Sequence, residues 1–328
     1  MDDIHAFAAS IQRGDRAALA QAITLVESTR SDDRLRAVAL LEALLPHTGG
    51  AYRIAVTGPP GAGKSTLLNA LGCLLVKEGF RVAVLAIDPT SEVTGGSILG
   101  DKTRMRDLSL LDGAFVRPSP SRLAHGGVST WTHEAMLLCE AAGFDVIFIE
   151  TLGVGQGETR VKDLVDCCLL LCLSGAGDAL QGLKKGILES ADLIGINKAD
   201  GEGLQVARMA RGELQSALRM VRPDLSADDL LLLSGLEALR VEALWMHLAG
   251  WKEKRVNSGD FEARRSMQHE AWMWISLESR LWAALQDFKK NNAMTFDAVR
   301  QGTMLPERAA MVLKESFLDY LGVVHESP

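Results

Sequence analysis

A glycine-rich stretch that ends in a lysine and two hydroxyl residues carries the clearest chemistry in the chain. It matches the phosphate-loop pattern G-x-x-x-x-G-K-[ST] at every fixed position. The stretch reads Gly58-Pro59-Pro60-Gly61-Ala62-Gly63-Lys64-Ser65-Thr66. Successive backbone N–H groups and the positive end of a following helix dipole can hold phosphate oxygens here. We expect Lys64 to reach the β- and γ-phosphates of a nucleoside triphosphate, and Ser65 to place its hydroxyl on Mg²⁺ with Thr66 behind it.

The elements on either side of this loop support that prediction. Residues 52–57 form a short apolar run typical of a buried strand, and residues 67–71 have helical spacing. A chance glycine turn is the alternative. The order of strand, glycine loop and helix argues against it, because this is the context in which the pattern is specific.

Three acidic residues further along the chain are candidates for the magnesium shell. Asp88 and Glu150 each end an apolar strand, and ligands gather at the carboxyl edge of a parallel sheet. Asp101 lies in residues 94–105, a stretch of glycines, hydroxyls and charges that predicts a loop beside the phosphates. A helix-capping aspartate is the alternative for Asp88, and an ordinary solvated loop is the alternative for residues 94–105.

The residues after Glu150 predict a second phosphate-sensing loop, in which an acid is followed three positions later by Gly153. The N–H of Gly153 can donate to the γ-phosphate, and this bond is lost when that phosphate leaves. Gln156 could orient the attacking water; an ordinary loop residue is the alternative. With Lys64, Asp88, Asp101 and Glu150, Gln156 completes the candidate catalytic set. Residues 117–127, rich in proline and glycine, predict another loop.

A four-residue motif after a later buried strand predicts which nucleotide base is bound. The motif, Asn197-Lys198-Ala199-Asp200, fits the guanine signature N-K-x-D. The carboxylate of Asp200 can accept hydrogen bonds from N1–H and the exocyclic amine of guanine, a donor pair that adenine lacks. We expect the Lys198 stem to pack on the base and Asn197 to tie the loop down. The motif therefore predicts GTP rather than ATP.

The segment after the last predicted strand, residues 229–234, is expected to supply a further contact to the base. It reads Ser234-Gly235-Leu236, and one of its backbone N–H groups can meet guanine O6. The candidate nucleotide-binding residues are therefore Gly58, Gly61, Ala62, Gly63, Lys64, Ser65, Thr66, Gly153, Asn197, Lys198, Asp200, Ser234, Gly235 and Leu236.

Composition excludes several classes of protein. The 328 residues carry a net charge of −7, so there is no basic surplus for general nucleic-acid binding. The first residues are acidic, unlike a signal peptide, and no uncharged apolar run is long enough to predict a membrane span. Five scattered cysteines predict reduced thiols and a cytoplasmic location. Cys167, Cys168 and Cys172 lack metal-ligand spacing and predict buried core positions.

Helical extensions flank the nucleotide-binding region. We predict an N-terminal helical extension at 1–50, a phosphate-loop domain at 51–255 and a C-terminal helical extension at 256–328. Residues 4–46 have helical composition, with a break and cap at 31–33. The C-terminal extension is rich in Trp and Leu, which favours a dimer or partner surface. Packing back on the same domain is the alternative.

Together these motifs resemble the metallochaperone-like branch of P-loop GTPases, in the SIMIBI class. More narrowly, the chain resembles the methylmalonyl-CoA mutase-associated GTPases (MeaB, also known as ArgK), over nearly its whole length. The stretches that carry the resemblance are residues 58–66, 88–91, 94–105, 117–120, 150–156, 175–186 and 197–200.

The resemblance implies an α/β P-loop fold, with a mostly parallel central sheet flanked by helices, an N-terminal helical extension and C-terminal dimerisation helices. It implies a GTPase chaperone that gates cofactor loading, protection and reactivation of an adenosylcobalamin-dependent acyl-CoA mutase. GTP or GDP and Mg²⁺ would bind to this chain, and adenosylcobalamin to the mutase. The adenosyltransferase that delivers the cofactor is a further candidate partner. The family's third switch, which relays the nucleotide state to the mutase, corresponds to Gly175, Asp178, Gln181, Lys184 and Lys185, with Lys184 as its key lysine.

Departures from the family pattern leave the identity of the partner mutase open. Leu152 replaces the usual valine of the second switch, Ser174 and Ala179 alter the third, and Ser-Gly-Leu at 234–236 replaces Ser-Ala. Because no arginine finger is evident in cis, we expect slow hydrolysis that the mutase accelerates.

Two other functions remain as alternatives. A small-molecule (amino-acid) kinase would need an acceptor pocket with a base. A metal-insertion GTPase would need Cys and His ligands near the switches, and we discount His125 and His133 as such a pair.

Overall fold

A parallel β-sheet forms the centre of the larger of two compact units, residues 1–269 and 270–328. The computed structural model describes residues 2–28, 30–88, 105–120, 130–151, 161–173, 185–290 and 293–322. Within these ranges the sheet has seven strands in the order β3-β2-β4-β1-β5-β6-β7, and every neighbouring pair is parallel. The strands are β1 (Tyr52–Thr57), β2 (Val82–Asp88), β3 (Ala114–Pro120), β4 (Val146–Glu150), β5 (Cys167–Leu173), β6 (Leu193–Asn197) and β7 (Leu230–Leu232). The predicted parallel α/β sheet is confirmed.

Helices cover both faces of this sheet and continue beyond it. In chain order they are α1 (Asp2–Gln12), α2 (Arg16–Val26), α3 (Ser31–Leu44), α4 (Lys64–Lys77), α5 (Arg106–Ser109), α6 (Thr130–Ala141), α7 (Lys185–Ser190), α8 (Gly203–Val221), α9 (Val241–Ser258), α10 (Asp260–Lys290), α11 (Ala293–Arg300) and α12 (Pro306–Tyr320). Short 3-10 turns occupy Leu45–His47, Val161–Asp163 and Ala227–Asp229. None of the helices in the described ranges combines the length and apolar character that a membrane span requires.

The alternation of side chains along the strands builds a core on each face of the sheet. Tyr52, Ile54 and Val56 of β1 are buried on one face, in a cluster with residues of α4 and α9. Ile194 and Ile196 of β6 are buried in a second cluster with residues of α8. Because successive side chains of a strand point to opposite faces, both cores depend on the same strands.

Residues 117–120 correct one sequence-based prediction. We expected a loop there, but these residues complete β3, which pairs with β2 in a register that sets Pro118 opposite Ala86. β3 lies at the edge of the sheet. A proline lacks an N–H donor, and an edge strand tolerates this because one side of its backbone needs no partner strand.

The N-terminal extension is helical as expected, but it contains three helices where the sequence suggested two. The unrecognised break precedes α2, where the Asp15 carboxylate caps the helix by accepting from the N–H groups of Ala17 (2.8 Å) and Ala18 (3.1 Å). The expected break near residue 31 is present, although the cap position is Arg30, whose side chain makes no cap hydrogen bond. Arg34 of α3 pairs with Glu134 of α6 through two bonds of 2.7 and 2.8 Å.

The C-terminal unit is helical, as predicted. Within it, Phe288 of α10 packs against Phe317 and Tyr320 of α12, with ring centroids 5.3 and 5.6 Å apart. The division between the two units follows His269. The domain boundaries near residues 50 and 255 stay predictions.

Candidate nucleotide site

The phosphate loop lies between β1 and α4, as the motif predicts. Gly58 and Gly63 have φ angles of 141° and 87°, which favour glycine. A Cβ at Gly58 would collide with the carbonyl oxygen of Leu171 in β5, and a Cβ at Gly63 would lie 2.5 Å from the Asn197 amide nitrogen. Both glycines therefore permit close packing of the loop against neighbouring strands.

Lys64 begins α4 and folds back over the phosphate loop. Its Nζ donates to the carbonyl oxygens of Gly58 (2.8 Å) and Pro59 (3.2 Å), and the residue is only 8% exposed. The ammonium group is thus held at the loop, where a phosphate would need a positive charge.

Ser65 and Glu150 meet at the carboxyl edge of the sheet. The Ser65 hydroxyl donates to Glu150 Oε1 at 2.7 Å, which joins the first turn of α4 to the end of β4. The next residue, Thr151, is buried, and its hydroxyl donates to that of Thr57 at 2.9 Å. A hydroxyl and a carboxylate at this edge are hard oxygen donors of the kind that Mg²⁺ prefers. Asp88 ends the neighbouring strand β2 at the same edge.

Asn197 joins the phosphate loop to the base segment. Its side-chain nitrogen donates to the carbonyl oxygen of Ala62 at 2.7 Å, and its side-chain oxygen accepts from the N–H of Gly235 at 3.1 Å. The residue is 2% exposed, so both bonds are shielded from water. One amide therefore holds together the segments predicted to bind the phosphates and the base.

Asp200 and Ser234 meet at the predicted base end of the site. The Ser234 hydroxyl donates to Asp200 Oδ2 and accepts from the N–H of Glu237 at 3.1 Å. Ser234 is fully buried, whereas Leu236 is largely exposed. Lys198 adopts a φ of 61°, which is uncommon outside glycine. The two segments singled out as base-binding thus contact each other directly.

Several predicted residues lie outside the described ranges. They are Asp101, Gly153, Gln156, Gly175, Asp178, Gln181 and Lys184. Lys185 is the first residue of α7. The roles assigned to these residues stay predictions.

Cys167, Cys168 and Cys172 are buried, as the sequence predicted. The five cysteines, all among the described residues, are not joined in disulfides. Cys167 belongs to the core cluster on one face of the sheet and Cys172 to the cluster on the other. Among the described residues, no group of three or more His, Cys, Asp or Glu side chains could hold a metal ion.

Sequence analysis did not predict a buried network of charged side chains at the opposite end of the sheet, where the strands begin. Asp166, which precedes β5, accepts from Arg53 Nη2 at 2.6 Å and from Arg265 Nη2 at 2.7 Å. Gln268 accepts from the same Arg53 nitrogen at 2.9 Å. Burial alone would raise the pKa of Asp166, but the hydrogen bonds from Arg265 and Arg53 outweigh it and hold the pKa below its ordinary value of 3.8. The network ties β1 and β5 to α10.

Comparison with known proteins identifies the family. The sequence model described as "Methylmalonyl Co-A mutase-associated GTPase MeaB" matches residues 19–290. A protein of Caulobacter vibrioides named as a putative GTPase is 49% identical over 320 residues, which cover 96% of this chain and 98% of the relative. GTPase ArgK of Escherichia coli is 44% identical, covering 93% and 94% of the two chains.

Two further similarities come from a mouse protein and a solved structure. The mitochondrial methylmalonic aciduria type A homolog of Mus musculus is 39% identical, with coverage of 93% of this chain and 77% of the relative. A crystal structure described as an LAO/AO transport system kinase superposes with a TM-score of 0.74 and 37% identity, covering 96% and 97% of the chains. With a family match over most of its length and relatives well above 30% identity, this chain belongs to the methylmalonyl-CoA mutase-associated GTPase (MeaB) family.

Proposed function

We propose that this protein is a GTP-hydrolysing chaperone that gates cofactor loading, protection and reactivation of an adenosylcobalamin-dependent acyl-CoA mutase. Methylmalonyl-CoA mutase or a close relative is the proposed partner. The observation that carries the proposal is the family match over residues 19–290, whose description names that mutase. The similarity to the methylmalonic aciduria type A homolog of mouse supports it.

The base end of the site supports a preference for guanine. We infer that the Asp200 carboxylate accepts from N1–H and the exocyclic amine, while the Lys198 stem packs on the base. The N–H groups of Ser234 and Gly235 already donate to Leu239 and Asn197. We therefore assign the contact to guanine O6 to the N–H of Leu236.

The phosphate end supports a magnesium site. Ser65, Asp88, Asp101 and Glu150 are the proposed holders of Mg²⁺, directly or through water, since their oxygens suit a hard cation. When bound, the ion would neutralise charge on the β- and γ-phosphates. Lys64 would bind the same phosphates, and Gln156 would orient the attacking water.

Glu150 connects the proposed magnesium site to the predicted second switch. It ends β4 immediately before the predicted second switch, which contains Gly153, and its carboxylate contacts Ser65. We infer that loss of the γ-phosphate releases Gly153, and that the segment from Gly175 to Lys185 relays the change to the mutase. The result of each round of GTP hydrolysis is then a change in the partner mutase. Slow intrinsic hydrolysis that the mutase stimulates suits a regulatory GTPase of this kind.

The C-terminal unit supports the proposal of a homodimer. Exposed apolar side chains recur along α10, which is unusual for a helix that faces only water. They are Met273, Trp274, Leu277, Leu281 and Trp282. We infer that these helices form the contact between two copies in the cytoplasm, where the five cysteines would stay reduced. The adenosyltransferase that delivers the cofactor is a further proposed partner.

The solved structure described as an LAO/AO transport system kinase favours one competing function, phosphoryl transfer to a small acceptor. The two functions differ in their product. Incubation with GTP and candidate amino acids would yield a phosphorylated acceptor, detectable by mass spectrometry, for a kinase, but only GDP and phosphate for a GTPase.

Size-exclusion chromatography with candidate acyl-CoA mutases tests the proposal. Each mixture is run with GDP and with a non-hydrolysable GTP analogue, and Lys64→Ala is compared with Lys77→Ala, at the far end of the same helix. We expect co-elution whose extent depends on the nucleotide, and we expect Lys64→Ala, but not Lys77→Ala, to abolish that dependence. Identical elution in all nucleotide states with every mutase would contradict the proposal.

A further inference from the structure

Backbone strain is concentrated around the proposed base site. Within the described part of the chain, three non-glycine residues have positive φ: Lys198 (61°), Ala238 (50°) and Arg240 (61°). Lys198 belongs to the guanine motif, and the other two belong to the segment between β7 and α9 that also contains Ser234. Such conformations persist only where surrounding contacts impose them, and they cluster at functional sites.

The left-handed conformation of Arg240 accompanies two side-chain hydrogen bonds. Arg240 is the N-cap residue of α9, and its guanidinium reaches back to two backbone carbonyls. Nε donates to the oxygen of Leu232 at 2.6 Å, and Nη2 donates to the oxygen of Ala199 at 2.5 Å. The planar fork of an arginine suits two acceptors held at a fixed spacing.

The two hydrogen bonds of Arg240 to Leu232 and Ala199, called the clamp below, fix the peptide immediately before Asp200. The N–H of Ala199 donates to the oxygen of Leu233 at 2.8 Å, so both backbone groups of Ala199 are held. The next residue, Asp200, accepts from the Ser234 hydroxyl. The carboxylate is thus oriented from two sides, through its own backbone by Arg240 and through its side chain by Ser234.

We propose that Arg240 is a positioning residue that sets the discrimination of guanine from other bases. It acts through Ala199, by holding Asp200 in the orientation that accepts two hydrogen bonds from the base. The inference rests on the proposed guanine site, and it adds to that site a residue outside both base-binding segments. Without the hydrogen bonds of Arg240, the segment that carries Asp200 would become ordered only when the base binds. The free energy of this ordering would weaken the binding of the base through Asp200.

We expect α9 to stay folded when the Arg240 side chain is removed. Arg240 is itself exposed, whereas Val241, Leu244 and Leu248 anchor the helix in the core. Arg211 of α8 provides a matched control, because its Nη2 also donates to a backbone carbonyl, that of Ala227 at 2.8 Å, rather than to that of Ala199.

The test compares affinities for GDP and for inosine diphosphate, which lacks the exocyclic amine. Calorimetry is performed on the wild type, Arg240→Ala, Arg240→Lys and Arg211→Ala. For Arg240→Ala we expect GDP affinity to fall about tenfold, as for a lost charge-assisted hydrogen bond, and inosine diphosphate affinity to fall less, so that the GDP preference shrinks. Arg240→Lys should be intermediate, Arg211→Ala should keep the wild-type preference, and guanidinium ion at low concentration should restore part of the GDP affinity of Arg240→Ala.

The outcomes separate this inference from the proposed function. A wild type that prefers GDP, together with an Arg240→Ala variant that keeps the same preference, would overturn the positioning role and leave the guanine site intact. If Arg240→Ala fails to fold, an unchanged preference in Arg240→Lys overturns the role and a reduced one supports it. A wild type without any preference for GDP would contradict the guanine site itself, and the inference with it.

Discussion

Ser65 and Glu150 are joined by a hydrogen bond of 2.7 Å although 85 positions separate them in the chain. The bond brings the helix that follows the phosphate loop into contact with the strand that leads into the predicted second switch. A ligand that changes either residue therefore acts on both, which is the arrangement a nucleotide-dependent switch requires.

Ser65→Ala tests the magnesium site. We expect the gain in GTP affinity that Mg²⁺ provides to fall by about 10- to 100-fold, since the hydroxyl is a proposed ligand and its loss also leaves Glu150 without this donor. Nucleotide titrations with and without Mg²⁺ measure the effect. Ser216→Ala is the control, because that exposed hydroxyl donates to the carbonyl of Gly212 in its own helix. A full Mg²⁺ effect in Ser65→Ala would contradict the assignment.

Two phosphate-loop glycines permit a matched comparison. Gly61 and Gly63 both have positive φ, 78° and 87°, but a Cβ would meet nothing within 4 Å at Gly61 and the Asn197 amide at Gly63. Gly61→Ala should therefore cost only backbone strain, about 1–2 kcal/mol. Gly63→Ala should cost more, because Asn197 must also give up its bond to Ala62. Urea denaturation of the nucleotide-free protein measures both, and equal losses would show that the Asn197 contact does not constrain the loop.

Asp166→Asn tests the buried network. Because the change leaves the buried Arg53 and the half-buried Arg265 without their carboxylate, we expect the free energy of unfolding to fall by about 3–5 kcal/mol at neutral pH. Asp287→Asn, which removes an exposed pairing with Lys290, should change it by less than about 0.5 kcal/mol. Urea denaturation of the three proteins measures the difference, and a small effect at Asp166 would mean that the network contributes little.

The same carboxylate predicts the direction of an acid effect. The folded pKa of Asp166 lies below its ordinary value of 3.8, so its stabilisation is present above that value and is lost as pH falls through the folded pKa. Asp166→Asn has no proton to gain and should lose less stability than the wild type on acidification below about pH 4. Parallel stability curves for the two proteins would count against this explanation.

Asp200→Asn tests the identity of the base. The amide can donate to the extra carbonyl of xanthine, whereas it accepts poorly from guanine, so GTP affinity should fall by about 100-fold and XTP affinity should rise. Competition binding with both nucleotides measures the change. Asp224→Asn, an exposed residue paired with Arg222, should leave both affinities unchanged. Unaltered GTP affinity in Asp200→Asn would exclude the guanine assignment.

Local patterns in the sequence predicted the parts of the site that depend on short spacing. Three features each involve neighbouring residues, whose types report their local geometry. They are the strand, loop and helix around Lys64, the acid at the end of β4, and the guanine motif that begins with the last residue of β6. The prolines of β3 were misleading, because edge position in a sheet is a tertiary property that local composition does not reveal.

The contacts that sequence analysis missed join distant residues. Arg53 lies 113 positions from Asp166 and 215 from Gln268. The available signal was a lone arginine within an otherwise apolar buried strand, which requires a buried partner but does not identify it. Likewise, the clamp by Arg240 depends on a left-handed backbone conformation that its residue type does not predict.

GTP turnover, measured with the purified protein alone and after addition of an acyl-CoA mutase, tests the central claim most directly. The account predicts slow hydrolysis by the protein alone, because the sequence motifs do not predict an arginine finger in cis, and a clear acceleration when the correct mutase is added. Fast hydrolysis that is indifferent to every mutase tested would contradict it.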